Sequence, residues 1–130
     1  MNADTGAKPP VRLLLIDDEK GFVATLAKRL SRRNIQATQA FSGRDGIQAL
    51  RRQDFDVVVL DLKMEDMDGL QVLKIIKIMD PHLPVIMLSG HASDEAARTG
   101  IEAGAFDYLT KPYDLSELLD KIGAAVGQKK

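Results

Sequence analysis

The stretch DVVVLD, residues 56–61, decides the fold of this 130-residue chain. Its aliphatic residues have strong β propensity, and a run that is apolar on both faces is typical of a parallel strand covered by helices on each side. We therefore predict a buried strand over residues 56–60. Asp61 then lies where the chain leaves the sheet, which makes it the first candidate for a functional residue.

Comparable apolar runs alternate with amphipathic segments along the whole chain. The predicted strands cover residues 11–16, 35–40, 56–60, 84–88 and 106–110. Apolar residues at helical spacing and start signals predict helices over 20–33 and 93–103, and others that begin near Ser42, Gly69 and Asp114. Strands that alternate with helices in this way indicate an α/β domain with a parallel sheet.

The composition of the strands also predicts their order. The first, third and fourth strands are apolar on both faces and suit the interior of the sheet, whereas the second and fifth contain polar residues and suit its edges. This pattern favours the flavodoxin-like, doubly wound order 2-1-3-4-5. Ligands bind such sheets outside the carboxyl ends of the strands where the order reverses, here between the first and third strands.

Length and composition exclude several classes of protein. A chain of 130 residues fits one domain, and its net charge of -1 predicts no general affinity for nucleic acid or anionic membranes. The absence of cysteine excludes disulfides and fits the cytoplasm, and no apolar run approaches the ~20 residues that cross a membrane. We expect a disordered leader over 1–10, a domain over 11–126, and a frayed tail or linker start over 127–130.

Polar side chains follow the strands at the predicted ligand edge. Asp17 and Asp18 follow the first strand, Asp61 the third, Ser89 the fourth and Lys111 the fifth. Taken singly, these residues have ordinary explanations as helix caps, turn residues or a solvated lysine. Because the carboxyl ends of parallel strands share one edge, their side chains should converge there. Together they indicate a site for a cation and a phosphoryl group.

The chemistry of this set is specific. Two carboxylates ~4 Å apart repel by about 4 kcal/mol at an effective dielectric constant of ~20, and a hard divalent cation offsets that cost. Oxygen ligands without cysteine favour Mg²⁺, or Mn²⁺ in its place, over Zn²⁺. Asp61 could then attack phosphorus to form an acyl phosphate, while Lys111 and Ser89 stabilise the phosphoryl oxygens.

Five segments, in order along residues 11–126, resemble the receiver domain of bacterial two-component response regulators. They are LLIDDE at 14–19, VLDLKM at 59–64, MDGL at 67–70, VIMLSG at 85–90 and GAFDYLTKP at 104–112. The resemblance implies a phosphoacceptor that takes its phosphoryl group from a histidine kinase, a phosphotransfer domain or a small phosphodonor. Such a domain is not an enzyme beyond its own phosphorylation and autodephosphorylation.

The resemblance implies roles for the residues at the metal. Asp61 would accept the phosphoryl group and would bind Mg²⁺ directly, together with Asp18 and the backbone carbonyl of Lys63. Asp17 would act through a metal-bound water.

It also implies a switch and its partners. Ser89 and Lys111 would bind the phosphoryl oxygens, Tyr108 would be the aromatic switch residue, and the peptide bond between Lys111 and Pro112 would be cis. The face made by the fourth helix, fifth strand and fifth helix would engage an output domain, a downstream protein or a second copy in a homodimer. The domain itself would bind neither nucleic acid nor membranes.

The chain departs from the usual pattern of that family at position 65, where Glu65 replaces a common proline. With Asp66 and Asp68 nearby, the loop after Asp61 should be more acidic and less rigid. Lys63 and His91 occupy variable positions that border the path of the hydrolytic water, so we expect them to set the lifetime of the acyl phosphate. The alternative for His91 is an ordinary solvent-facing loop residue.

Three other functions fit less well. A phosphatase of the haloacid-dehalogenase type would need a second aspartate at position 63, where this chain has Lys63, and a cap domain. A flavodoxin-like flavin binder would need a hydroxyl- and glycine-rich phosphate loop in place of the acidic residues 17–19. A degenerate receiver that only binds partners would lack some of the site residues, all of which are present here.

Overall fold

The computed structural model describes residues 8–90 and 94–129. Strands and helices alternate throughout these residues, in the order β1 (Val11–Ile16), α1 (Lys20–Ser31), β2 (Ile35–Ala40), α2 (Gly43–Arg52), β3 (Val57–Asp61), α3 (Gly69–Met79), β4 (Val85–Ser89), α4 (Asp94–Glu102), β5 (Asp107–Thr110) and α5 (Leu115–Lys129). All neighbouring strands pair in parallel, in the order β2-β1-β3-β4-β5. The predicted flavodoxin-like fold and strand order are confirmed.

The two faces of the central strands bury different helices. Apolar odd-numbered residues of β1 and β3 pack with α1 and α5, whereas the apolar even-numbered residues of the same strands pack with α3. Every residue of β3 is buried. This double burial is the physical reason that residues 57–60 are apolar without alternation.

The ends of two central strands lie one residue further along the chain than predicted. β3 includes Asp61 and β4 includes Ser89, so that both polar residues still pair within the sheet. Asp61 pairs with Leu88 and Ser89 pairs with Thr110. A strand continues for as long as its backbone has a partner, whatever its side chains, and hydropathy therefore places these boundaries too early.

Two helices also differ from their predicted extents. α1 ends at Ser31 rather than at residue 33, because the chain turns through Asn34, whose φ of 62° is in the left-handed region that asparagine tolerates. α5 extends to Lys129, three residues beyond the predicted domain end at 126. Within residues 8–90 and 94–129, no helix combines the length and apolar character that crossing a membrane requires.

Helix α2 packs through two glycines as well as through larger residues. Its apolar pattern predicts that Ile47 and Leu50 face inward; both are half-buried, and Leu50 packs against the apolar core. The buried residues of the helix are Gly43 and Gly46. A Cβ atom at position 46 would overlap the side chain of Ile16. Glycine thus allows the helix to lie directly against the end of β1.

Candidate functional site

Three carboxylates meet at the carboxyl ends of β1 and β3. Ile16 pairs with Leu60 across these neighbouring strands, so the following residues, Asp17 and Asp61, lie side by side. One oxygen from each of Asp17, Asp18 and Asp61 lies within 4.8 Å of the others. Asp17 and Asp61 are buried, and Asp18 is half-buried. The structure therefore brings together the acidic residues that the sequence predicted would converge.

Lys111 supplies the positive charge of the site. The backbone N–H of Lys111 donates to the carbonyl of Ser89 at 2.7 Å, which holds the residue at the end of β5. Its Nζ lies 3.1 Å from Asp17 Oδ2 and 3.8 Å from Asp61 Oδ2. A third acid, Glu19, lies 3.7 Å away through Oε1. One ammonium group is thus shared among several carboxylates and balances only part of their charge.

The carboxyl group of Asp61 has an unusual pKa as a result. Burial is the main cause that raises its pKa from 3.8 to about 6, and the neighbouring charge of Asp17 raises it further. The charge of Lys111 opposes this rise, as does the N–H of Lys63, which donates to Asp61 Oδ1 at 3.3 Å. The raised pKa means that the site has more negative charge than its surroundings stabilise. A divalent cation would relieve that excess, so the donor set fits Mg²⁺.

The loop between β3 and α3 is held against the site by its backbone. The N–H of Glu65 donates to Asp18 Oδ2 at 3.1 Å, and Asp68 caps α3 by accepting from the N–H of Leu70 at 3.0 Å. The first residue of α3, Gly69, lies so close to Leu62 that a Cβ atom would be 2.7 Å from the Leu62 carbonyl oxygen. These contacts give the loop a defined path beside the site.

The remaining predicted residues lie around this centre. Ser89 ends β4, one residue beyond the partner of Asp61, and is half-buried. Tyr108 lies on the edge strand β5 and is 37% exposed. The peptide bond between Lys111 and Pro112 is cis, as predicted. His91 lies outside the described residues.

Two aromatic residues near the site were not predicted from the sequence. Phe22 of α1 places its ring 4.8 Å from Lys111 Nζ, a cation–π contact that helps to orient the ammonium group. The hydroxyl of Tyr113 is buried and has no hydrogen-bond partner within residues 8–90 and 94–129. Burial, and then the charges of Asp17 and Asp61, raise the pKa of Tyr113 to about 12. Neither residue follows a strand directly, so the strand-end pattern gave no signal for them.

Comparison with known protein families agrees with this geometry. The sequence model of the response regulator receiver domain matches residues 13–123, which is most of the chain. The chain belongs to the response-regulator receiver family. Members of this family act in two-component signal transduction, with phosphorylation and Mg²⁺ as family features, and are not enzymes in the usual sense.

Curated relatives of this receiver domain are transcriptional regulators. It is 38% identical over 119 residues to transcriptional regulatory protein GlrR of Escherichia coli (strain K12), covering 92% of this chain and 27% of GlrR. It is 33% identical over 126 residues to transcriptional regulatory protein PrrA of Mycobacterium tuberculosis, covering 97% of this chain and 54% of PrrA. The chain thus spans between about a quarter and about half of the length of these relatives.

Solved structures give the same family. The receiver domain of Francisella response regulator 1452 superposes with a TM-score of 0.86 at 31% identity, covering 92% of this chain and 99% of that one. A response regulator receiver domain protein from Clostridium thermocellum gives a TM-score of 0.88 at 31% identity, covering 92% and 96%.

Proposed function

We propose that Asp61 is the phosphoacceptor of this receiver domain and that Asp17, Asp18, Ser89 and Lys111 complete its site. The observation that supports this most directly is the set of three carboxylates within 4.8 Å, with the ammonium group of Lys111 3.8 Å from Asp61. Asp61 ends the central strand β3 and is 5% exposed, so a small part of its surface is open to solvent. A phosphodonor would reach the carboxylate at the carboxyl end of the strand, where ligands bind to such sheets.

The metal would be held by oxygen atoms of this chain. Asp18, Asp61 and the backbone carbonyl of Lys63 would bind Mg²⁺, or Mn²⁺, directly, and Asp17 would contact it through a water. The bound cation supplies charge neutralisation for a phosphoryl group that approaches a carboxylate. Because Lys111 already lies against Asp17 at 3.1 Å, Asp17 is partly neutralised, which suits an indirect role.

In the proposed reaction, an Asp61 Oδ atom attacks the phosphorus of a phosphohistidine on a histidine kinase or phosphotransfer domain. The new O–P bond makes an acyl phosphate, the P–N bond breaks, and the leaving imidazole nitrogen takes the electron pair. Small phosphodonors such as acetyl phosphate react in the same way, with a carboxylate as the leaving group. Lys111 and the hydroxyl of Ser89 stabilise the charge on the phosphoryl oxygens.

Phosphorylation then changes the surface formed by α4, β5 and α5. The phosphoryl group replaces the single negative charge of the Asp61 carboxylate with a charge of about -2. Ser89 moves to bind it, and Tyr108 moves into the space released. Exposed apolar side chains already mark this surface, with Ile101 of α4 at 42% and Tyr108 at 37% exposure. The switch is a shift between two populated states that differ in affinity for a partner.

The partner at that surface is an output domain, a downstream protein or a second copy of the chain. The beryllofluoride-activated NtrC4 receiver domain, which has a TM-score of 0.87 and 30% identity to this chain over 92% of it, is a dimer in solution. That likeness supports a homodimer that depends on phosphorylation. With a histidine kinase as donor, the domain works in the cytoplasm. Its folded core extends over residues 11–126. The domain itself does not bind nucleic acid.

The phosphoacceptor is tested by incubating the protein with acetyl phosphate and Mg²⁺ and measuring its intact mass. We expect an adduct of about 80 Da in the wild type. The adduct should not form when a chelator removes Mg²⁺ from the incubation, and it should be absent from Asp61→Ala. A matched variant, Asp45→Ala, changes an exposed aspartate of α2 and should be phosphorylated like the wild type. An adduct that persists in Asp61→Ala would refute the assignment.

Lys63 and His91 are proposed to set how long the acyl phosphate lasts. The side chain of Lys63 is exposed beside the site, where it can affect the approach of water to the phosphorus atom. The test compares decay rates of the phosphorylated wild type with those of Lys63→Ala and His91→Ala. Decay rates that stay within experimental error of the wild type in both variants would refute this role.

A further inference from the structure

The segment that follows Asp61 is attached to helix α2 as well as to α3. The carboxylate of Asp66 accepts hydrogen bonds from the backbone N–H groups of Gly43, at 3.0 Å, and Arg44, at 3.1 Å. These are the first two residues of α2, whose N–H groups have no partner inside the helix. Burial raises the pKa of Asp66, but hydrogen bonds from the backbone N–H groups of Gly43, Arg44 and Asp66 itself, together with the charge of Arg44, hold the pKa below its usual value. Asp66 is therefore a charged anchor between two elements.

The preceding residue makes the connection to the site. The N–H of Glu65 donates to Asp18 Oδ2 at 3.1 Å. Within residues 8–90 and 94–129, this is the hydrogen bond that orients the Asp18 carboxylate, whereas the ammonium group of Lys111 holds Asp17 and Asp61. The orientation of Asp18 thus depends on the position of one backbone N–H group.

That N–H group exists because residue 65 is not proline. A proline has no backbone donor, so a chain with proline at this position would leave Asp18 without this hydrogen bond. The side chain of Glu65 is exposed and forms no ion pair within the described parts of the chain. Glu65 therefore contacts Asp18 through its backbone rather than through its carboxylate.

We propose that Asp66 is a positioning residue for the metal site: by binding the first turn of α2, it holds the Glu65 N–H against Asp18 and presets that carboxylate for a divalent cation. The inference rests on the proposed Mg²⁺ site and adds a residue that does not touch the metal. Hydrogen bonds that orient a metal ligand typically change metal affinity about 10- to 100-fold. Because Asp66 acts through Glu65, the lower end of that range applies.

The test is a titration of the full chain with Mg²⁺, in which calorimetry or amide chemical shifts measure the Kd. Asp66→Ala should raise the Kd for Mg²⁺ about 10-fold, and Asp66→Asn should raise it less, since an amide oxygen still accepts a hydrogen bond. Glu65→Pro and Glu65→Ala both lose the Glu65 carboxylate, but only Glu65→Pro also loses the backbone N–H. Glu65→Pro should therefore bind Mg²⁺ more weakly than Glu65→Ala. Amide exchange in the metal-free Asp66→Ala protein should quicken at Gly43, Arg44 and Glu65.

Ser42→Ala is the matched control for helix stability. Ser42 caps the same helix by accepting from the N–H of Asp45 at 3.0 Å, and within the described residues its side chain forms no hydrogen bond with the loop that follows Asp61. Loss of this cap should lower the melting temperature and leave the Kd for Mg²⁺ unchanged.

The outcomes separate this inference from the proposed function. If Asp66→Ala lowers the melting temperature but binds Mg²⁺ like the wild type, Asp66 is only structural and the inference fails alone. If the wild type binds no Mg²⁺ at all, the proposed metal site fails, and the inference fails with it. If Glu65→Pro does not fold, the Kd values of Asp66→Ala, Asp66→Asn and Ser42→Ala still show whether Asp66 positions the metal site.

Discussion

At the scale of single residues, the buried charge of Asp61 opposes folding in the absence of metal. Its pKa rises from 3.8 to about 6 on folding, and a raised carboxyl pKa favours the folded state at low pH and disfavours it as pH rises through the folded pKa. Asp61→Asn removes the charge with little change in shape. We expect this variant to be more stable than the metal-free wild type at pH 7 by about 1–2 kcal/mol.

The measurement is urea unfolding of both proteins in the presence of a chelator, at several pH values. The advantage of Asp61→Asn should shrink as pH falls from 7 towards 4, because the wild-type carboxyl group becomes protonated over that range. Asp120→Asn, at an exposed position of α5, is the control and should change stability by less than about 0.5 kcal/mol at either pH. An Asp61→Asn variant that is less stable at pH 7 would contradict this explanation.

At the scale of the elements, the close contact between α3 and the end of β3 fixes the loop after Asp61. A Cβ atom at Gly69 would overlap the backbone of Leu62 and would lie 2.9 Å from the carbonyl oxygen of Asp61. Backbone atoms cannot move aside as the end of a side chain can. We therefore expect Gly69→Ala to destabilise the protein by about 2 kcal/mol or more, and to slow phosphorylation because the backbone that carries Asp61 is displaced.

Gly123→Ala provides the opposite case within the same protein. Gly123 is exposed in the interior of α5, and a Cβ atom there would meet nothing within 4 Å. Alanine is the better helix former, so this variant should be more stable than the wild type by about 0.5–1 kcal/mol. Thermal unfolding and phosphorylation rates are measured for both glycine variants. Equal effects of the two substitutions would refute the close contact between Gly69 and Leu62.

The sequence predicted the helices and strands better than it predicted the details of the site. Hydrophobic runs gave the bounds of β1 and β2 as the structure has them, because polar residues or turns interrupt the chain at their ends. The ends of β3 and β4 were placed too early, since Asp61 and Ser89 remain paired in the sheet. The burial of Gly43 and Gly46 in α2 was missed, because close packing through glycine has no signature in hydrophobic periodicity.

At the scale of the whole molecule, metal binding should be coupled to folding. A ligand that binds only the folded state stabilises it by about 2.7 kcal/mol when its concentration is 100 times Kd. For a domain of this size that corresponds to a rise in melting temperature on the order of 10 °C. We expect Mg²⁺ to produce such a rise in the wild type and a much smaller one in Asp18→Asn, as measured by thermal unfolding with increasing MgCl₂.

NaCl at matched ionic strength is the control for this measurement, because it screens charges without binding at the carboxylates. The wild type and Asp18→Asn should respond to NaCl alike. An equal response of the two proteins to Mg²⁺ would place the cation elsewhere.

The whole site could be predicted only in outline from the sequence. Strand order and the rule that ligands bind at the carboxyl ends were enough to bring Asp17, Asp18, Asp61 and Lys111 together. The contacts of Glu65 and Asp66 were beyond reach, because they depend on the path of a loop and on backbone groups that every residue except proline has. The pattern of side chains therefore predicts which functional groups lie together at the site. The geometry of the backbone decides how those groups are oriented.

The shared lysine has a consequence for the resting protein. Lys111 lies within 4 Å of Asp17, Glu19 and Asp61, so the acidic cluster has its own built-in counter-ion before any metal arrives. This internal cation offsets part of the repulsion among the carboxylates in the metal-free protein, and it would also weaken the attraction of a metal ion to the cluster. A site built in this way would trade some affinity for Mg²⁺ against a metal-free state that stays folded.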